Sequence, residues 1–149
     1  MQNSIHHKVF FSFPPNIVWD YLTKTELIEQ WLMKNDFKPV VGHDFKFTTR
    51  ALPNHNFDGI IYCKVLEVIP FKRLVYSWKG GGGNDKIRLD SIVEWTLHEK
   101  DNGTEVELNH AGFRETDVTM FMAMDAGWLK NIKEINELIK TAQHGTTNA

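Results

Sequence analysis

Residues 116–140, TDVTMFMAMDAGWLKNIKEINELIK, place Phe121, Trp128, Ile132, Ile135 and Ile139 at steps of three, four and seven behind a Thr-Asp pair suited to starting a helix. The spacing predicts one long amphipathic helix whose apolar stripe needs a partner surface. The chain upstream offers that surface. Segments 44–50, 59–69, 73–79, 86–98 and 104–110 read as β-strands, punctuated by Pro53-Asn54, Pro70, the run Gly80-Gly81-Gly82-Gly83-Asn84-Asp85 and the hairpin signal Asp101-Asn102-Gly103. Alternation puts Leu74, Tyr76 and Trp78 on one face of their strand, Val93, Trp95 and Leu97 on one face of the next, and Val106, Leu108 and His110 on one face of the last. Segment 59–69 is apolar on both parities, so its inner face stays unassigned. A sheet with one apolar face has to bury it, and the terminal helix is the only element long enough. The expected fold is α+β, a curved antiparallel sheet wrapped around the C-terminal helix.

Two smaller features precede the sheet. Residues 5–13 (IHHKVFFSF) read as a first strand stopped by Pro14-Pro15. Pro15 then opens a helix with Ile17, Val18, Tyr21 and Leu22 on one side, and after a break at Thr23-Lys24 the pattern repeats over 25–32. At 149 residues the chain has the length of one domain, expected over 1–142 with a flexible polar tail at 143–149.

The composition excludes several classes. The 17 basic and 19 acidic residues are intermixed, so no field gathers phosphates or an anionic membrane, and neither nucleic acid nor membrane is an expected partner. The single cysteine, Cys63, has no internal disulfide partner and sits in a strand-like run, where a buried thiol in a reducing compartment is the plain reading. With no leader-like start and no apolar run near the roughly 20 residues of a membrane span, a cytoplasmic location is expected.

The run Phe13-Pro14-Pro15-Asn16-Ile17-Val18-Trp19-Asp20-Tyr21-Leu22-Thr23, continuing to Leu27 and Gln30-Trp31-Leu32, resembles the opening of START-like (SRPBCC) proteins related to the activator of the heat-shock protein 90 ATPase. Further matching pieces follow in order: Gly42-His43-Asp44-Phe45-Lys46-Phe47, Val65-Leu66-Glu67-Val68-Ile69-Pro70, Arg73-Leu74-Val75-Tyr76-Ser77-Trp78, Val93-Glu94-Trp95-Thr96-Leu97, Thr104-Glu105-Val106, His110-Ala111-Gly112-Phe113 and Gly127-Trp128. The resemblance implies a helix-grip fold with a cleft between sheet and helix that in many relatives holds an apolar small molecule. It also implies functions as different as lipid and hormone binding, polyketide cyclisation and chaperone association in stress. Eukaryotic activators carry an additional N-terminal domain for the chaperone, whereas this chain is expected to start at the domain's first strand, so a chaperone partner stays open.

The aromatic load, five Trp and ten Phe, serves either as core or as the wall of a ligand pocket. Parity and helical face turn Trp31, Phe45, Phe47, Tyr76, Trp78, Trp95, Phe121 and Trp128 toward the gap between helix and sheet. His110 shares the inward parity and reads as a satisfied structural histidine or as the pocket's polar contact. Asp125 on the helix and Arg50 at the end of a strand read as solvated rim residues or as charge at a pocket mouth. Gly127 sits mid-helix, where glycine costs about 1 kcal/mol against alanine. Close approach of a strand is the expected reason, and room for a ligand is the alternative. The glycine run at 80–83 reads as a flexible loop, with a lid over the cleft as a further role.

No metal site is expected: His6 and His7 are adjacent and project to opposite faces, and the other histidines lack paired spacing. No nucleophile elbow is present, no catalytic residue is assigned, and no cofactor is implied. The leading expectation is a binding protein for a small hydrophobic or aromatic ligand, against a cyclase-like enzyme in the same cleft and a protein-interaction module. A homodimer through a strand edge or helix face is compatible with the pattern.

Overall fold

Pro14 and Pro15 organise the N-terminal end of the chain, because neither can continue a ladder and the second is pre-set for a helix's first position. In the computed structural model, which describes residues 4–51, 58–81 and 87–147, strand β1 (Ser4–Phe11) is followed by helices α1 (Pro15–Thr23) and α2 (Thr25–Trp31). Then come β2 (Lys34–Asn35), β3 (Asp44–Thr48), β4 (Ile60–Ile69), β5 (Arg73–Gly81), β6 (Ile87–Lys100) and β7 (Gly103–Ala111), a single 3-10 turn at Glu115–Asp117, and α3 (Val118–Thr147). All seven strands form one antiparallel sheet in the order β1-β7-β6-β5-β4-β3-β2. This is a helix-grip fold, with the sheet curled around α3.

Inner-face residues follow the alternation expected of them. Leu74, Tyr76 and Trp78 of β5, Val93, Trp95 and Leu97 of β6, and Val106, Leu108 and His110 of β7 are all buried. For β4 the inner parity is Ile61, Cys63 and Val65, with Tyr62, Lys64 and Leu66 outside, and the register shifts between Val65 and Glu67. That bulge breaks a strict period of two, which is why periodicity left this strand unassigned. Asp101 and Asn102 both take positive φ (50° and 62°), the geometry of a type I′ hairpin between β6 and β7.

The C-terminal helix enters the concave side through Gly112. Its φ is +120°, and a Cβ there would come within 2.8 Å of the Asp90 carbonyl oxygen, so only glycine lets the chain turn so close to β6. Asp117 then fixes the start of the helix: its Oδ2 accepts the Arg114 backbone N–H at 2.8 Å and the guanidinium Nε–H at 3.1 Å. Beneath α3, Ile132, Ile135 and Ile139 have no exposed surface.

Four expectations are corrected. Strand β3 ends at Thr48, so Arg50 lies beyond it, exposed. The strand β2 was not foreseen, being only two residues long. Gly80 and Gly81 belong to β5 rather than to a loop, since they pair with Leu89 and Ile87 across a register shift; the expected lid over 82–85 lies outside the described residues. Helix α3 continues to Thr147, beyond Lys140, where the helix was expected to end. Among the described residues no helix is long and apolar enough to cross a membrane.

Candidate functional site

Strands β5, β6 and β7 run side by side, so their inward parities bring Tyr76, Trp78, Trp95 and His110 onto one surface under α3. Trp128 descends onto it from the helix, its ring centroid 5.3 Å from that of Trp78, 5.7 Å from Trp95 and 5.9 Å from His110. Trp31 of α2 meets Trp95 edge-on at 5.8 Å, and its Nε1–H donates to the Tyr21 carbonyl. Phe45 and Phe47 of β3 extend the surface, at 5.4 Å from Tyr76 and 5.3 Å from Trp78 respectively. Eight of the ten candidates, all but Phe121 and Asp125, are thus brought into one continuous lattice of mostly edge-on rings. Trp95 and His110 have no accessible surface, and Phe47, Phe45, Tyr76 and Trp128 keep 3% or less, so these rings close on one another and leave water almost no access.

A hydrogen-bonded chain runs through the lattice. An indole Nε1 can only donate, so the 2.9 Å contact from Trp128 makes His110 Nδ1 the acceptor and leaves the imidazole proton on Nε2. That N–H donates to Ser91 Oγ at 2.7 Å, and the Ser91 hydroxyl passes its own proton to the Trp78 carbonyl at 2.8 Å. Burial lowers the His110 pKa to about 3, so the ring is neutral and both nitrogens are engaged. A free polar contact is therefore not what His110 offers in this conformation. Tyr76 differs: its hydroxyl oxygen accepts the Trp95 Nε1–H at 3.0 Å, and its own proton has no acceptor among the described residues. Burial raises the phenol's pKa and keeps it protonated.

The remaining candidates sit at the rim. Phe121 is half-buried and meets Phe113 edge-on at 5.2 Å, with Phe113 in turn 4.9 Å from His110. Asp125 faces β1, where its Oδ1 lies 2.9 Å from His7 Nε2, and the same nitrogen lies 3.1 Å from the Asp125 carbonyl. It is a fastener of the helix to β1. Gly127 does not mark close packing either, because a Cβ there would meet no atom of the described residues within 4 Å.

Sequence reasoning missed four contributors. Phe37 closes the lattice from below, edge-on to Phe45 at 5.0 Å, and no periodic segment contains it. Ser91 has the parity of Val93 and Trp95, and extending that alternation by one step would have found it. Met120 and Met124, half-buried beside Phe121, were legible only as helix positions. Among the described residues no group of three or more His, Cys, Asp or Glu is placed to hold a metal ion. An open groove of about 460 Å³ runs along the solvent side of α3 past Leu129, Lys133 and Glu137, and none of the candidates lines it.

Comparisons with known proteins converge on one family. A family model described as Activator of Hsp90 ATPase homolog 1-like protein matches residues 12–140. Protein MLL2253 from Mesorhizobium loti has a similar crystal structure, with a TM-score of 0.82 and 33% identity over 93% of this chain and 97% of that one. Protein BH1534 from Bacillus halodurans is similar at a TM-score of 0.73 and 25% identity, over 93% and 96% of the two chains. The solution structure of the Aha1 dimer from Colwellia psychrerythraea shares the fold, with a TM-score of 0.73 and 21% identity over 91% and 95%. No curated protein matches the chain in sequence.

Proposed function

The chain belongs to the family of Activator of Hsp90 ATPase homolog 1-like proteins, and on that premise we propose that it is a binding protein for a small, mainly apolar, aromatic molecule. The ligand is taken up between α3 and the sheet. The observation that carries this reading is the buried Tyr76 hydroxyl, which accepts from Trp95 and whose own proton has no acceptor among the described residues, set in a wall of aromatic rings. A tyrosine hydroxyl both accepts and donates, so one that only accepts still has a proton to offer. A ligand carbonyl or ether oxygen supplies the missing acceptor, while Trp78, Trp95, Trp128, Phe45 and Phe47 supply apolar surface at roughly 25 cal/mol per Å².

Because the rings close on one another, binding requires them to part. The docking of α3 is suited to that. Among the described residues its Cα atoms come within 8 Å of β1 and of α1 and α2, and of no other strand. Over the inner strands the helix thus rests on the sheet through side chains. His110 serves as a rigid strut under Trp128, which argues for binding over proton transfer. Lipid-like ligands fall within the same reading.

Native mass spectrometry of the purified protein tests it, together with titration of tryptophan fluorescence by the neutral probe N-phenyl-1-naphthylamine. Saturable quenching with one probe per chain, weakened in Tyr76→Phe for oxygen-bearing analogues, is the expected result. A panel of aromatic and fatty-acid ligands that neither adds mass nor alters fluorescence would contradict it and shift the function to a protein partner.

A further inference from the structure

The two flanks of α3 are built differently. On the flank toward β1, Asp125 holds His7, and Ile132 and Ile139 are fully buried. On the other flank, Met120, Met124, Gly127 and Asn131 fall at steps of four, three and four, and every one of them is only half-buried. Trp128 marks the direction between the two, since its indole rests on Trp78, Trp95 and His110 of β5, β6 and β7. The second flank is therefore turned away from β1.

Gly127 lies in the middle of that flank, and nothing among the described residues explains it. Its backbone is helical rather than left-handed, and apart from its chain neighbours and the backbone of its own helix no described atom stands within 4 Å of where a Cβ would be. Neither a turn nor a close approach calls for glycine, and in a helix interior glycine is otherwise a destabilising choice. Space is what the missing side chain leaves. On its N-terminal side stand two methionines, Met120 and Met124, whose flexible thioethers adapt to a planar ring and contact it favourably.

We infer that Gly127 is the residue that sets the size of the ligand: the notch it leaves in α3, walled by Met120, Met124 and the edge of Trp128, receives one ring of a planar aromatic molecule. This rests on the ligand-binding reading above and assigns its specificity to one position. A larger residue at 127 fills the notch from the helix side without touching the hydrogen-bonded chain through His110.

The test is titration of N-phenyl-1-naphthylamine into the wild-type protein and the variants Gly127→Ala, Gly127→Leu and Ala126→Leu. The last lies on the exposed side of α3 and serves as the control. Gly127→Ala is expected to raise the melting temperature, as alanine does in a helix, and still to bind the probe more weakly; Gly127→Leu is expected to weaken binding by about tenfold or more, as an overfilled site does. Ala126→Leu should bind like the wild type. Equal affinities in the wild type and both Gly127 variants overturn the assignment while leaving the ligand-binding reading intact. A wild-type protein that ignores the probe removes that reading and this inference with it. If Gly127→Leu does not fold, the alanine variant alone decides.

Discussion

Trp128 on the C-terminal helix donates its indole N–H to His110 on the last strand across 2.9 Å, and His110 itself has no exposed surface. The two halves of the fold are joined at their centre by a bond that exists only while the imidazole is neutral. Protonation of Nδ1 removes the acceptor and leaves a charge among aromatic rings.

This makes stability depend on pH in a defined window. His110 titrates at about 3 in the fold, below the 6.5 of an unperturbed histidine. As pH falls, the unfolded chain takes up the proton first, so the contribution is complete above pH 6.5 and lost between there and about 3. The slope in that window is at most about 1.4 kcal/mol per pH unit from this residue. Urea unfolding at pH 7.5 and pH 5 should show it, and His110→Gln should remove most of the difference; equal slopes in both proteins would speak against the buried neutral ring.

Ser91 is predicted to matter as much as a core residue. Its hydroxyl is the acceptor for His110 Nε2–H and is itself buried. Ser91→Ala leaves that N–H unpaired and should cost about 1–3 kcal/mol in denaturant unfolding. A loss within error of zero would mean that another group takes its place.

The bond between His7 and Asp125 acts locally instead. Asp125 is partly exposed, so Asp125→Ala should lower global stability by less than about 1 kcal/mol. Amide hydrogen exchange should nevertheless quicken in the first two turns of α3, because among the described residues β1 is the one strand that α3 approaches. Unchanged exchange there would show that packing alone holds the helix.

On the outer face of the sheet, Glu107 accepts from His6 Nε2 at 2.6 Å and from His98 Nε2 at 2.9 Å, and these two bonds hold its carboxyl below the usual 4.5. A depressed carboxyl stabilises the fold above pH 4.5, and the contribution is lost as pH falls through the folded value. Carboxyl carbon shifts followed by NMR should place the Glu107 midpoint low, and His98→Ala should move it back toward 4.5. A midpoint unmoved by that change would leave the depression without its cause.

Much of this architecture was legible before any coordinates. Tyr76, Trp78, Trp95 and His110 were assigned to the inner face because strict alternation survives in β5, β6 and β7. What escaped had physical reasons. Strand β4 is apolar on both parities and bulged after Val65. Phe37 enters the core from a segment without any period. Asp125 finds its partner 118 residues away on β1, a pairing that helical spacing cannot reveal. For Gly127, spacing gave only the anomaly, and the empty surroundings reversed the expected explanation.

The most direct test of the central claim is a two-dimensional NMR titration of the protein with N-phenyl-1-naphthylamine. The account predicts shifts in the indole N–H signals of Trp78 and Trp128 and in the methyl groups of Met120 and Met124, with the outer-face residues Tyr62 and Ile92 unmoved. Perturbations gathered on the outer face, or none at saturating probe, would contradict a ligand site between the helix and the sheet.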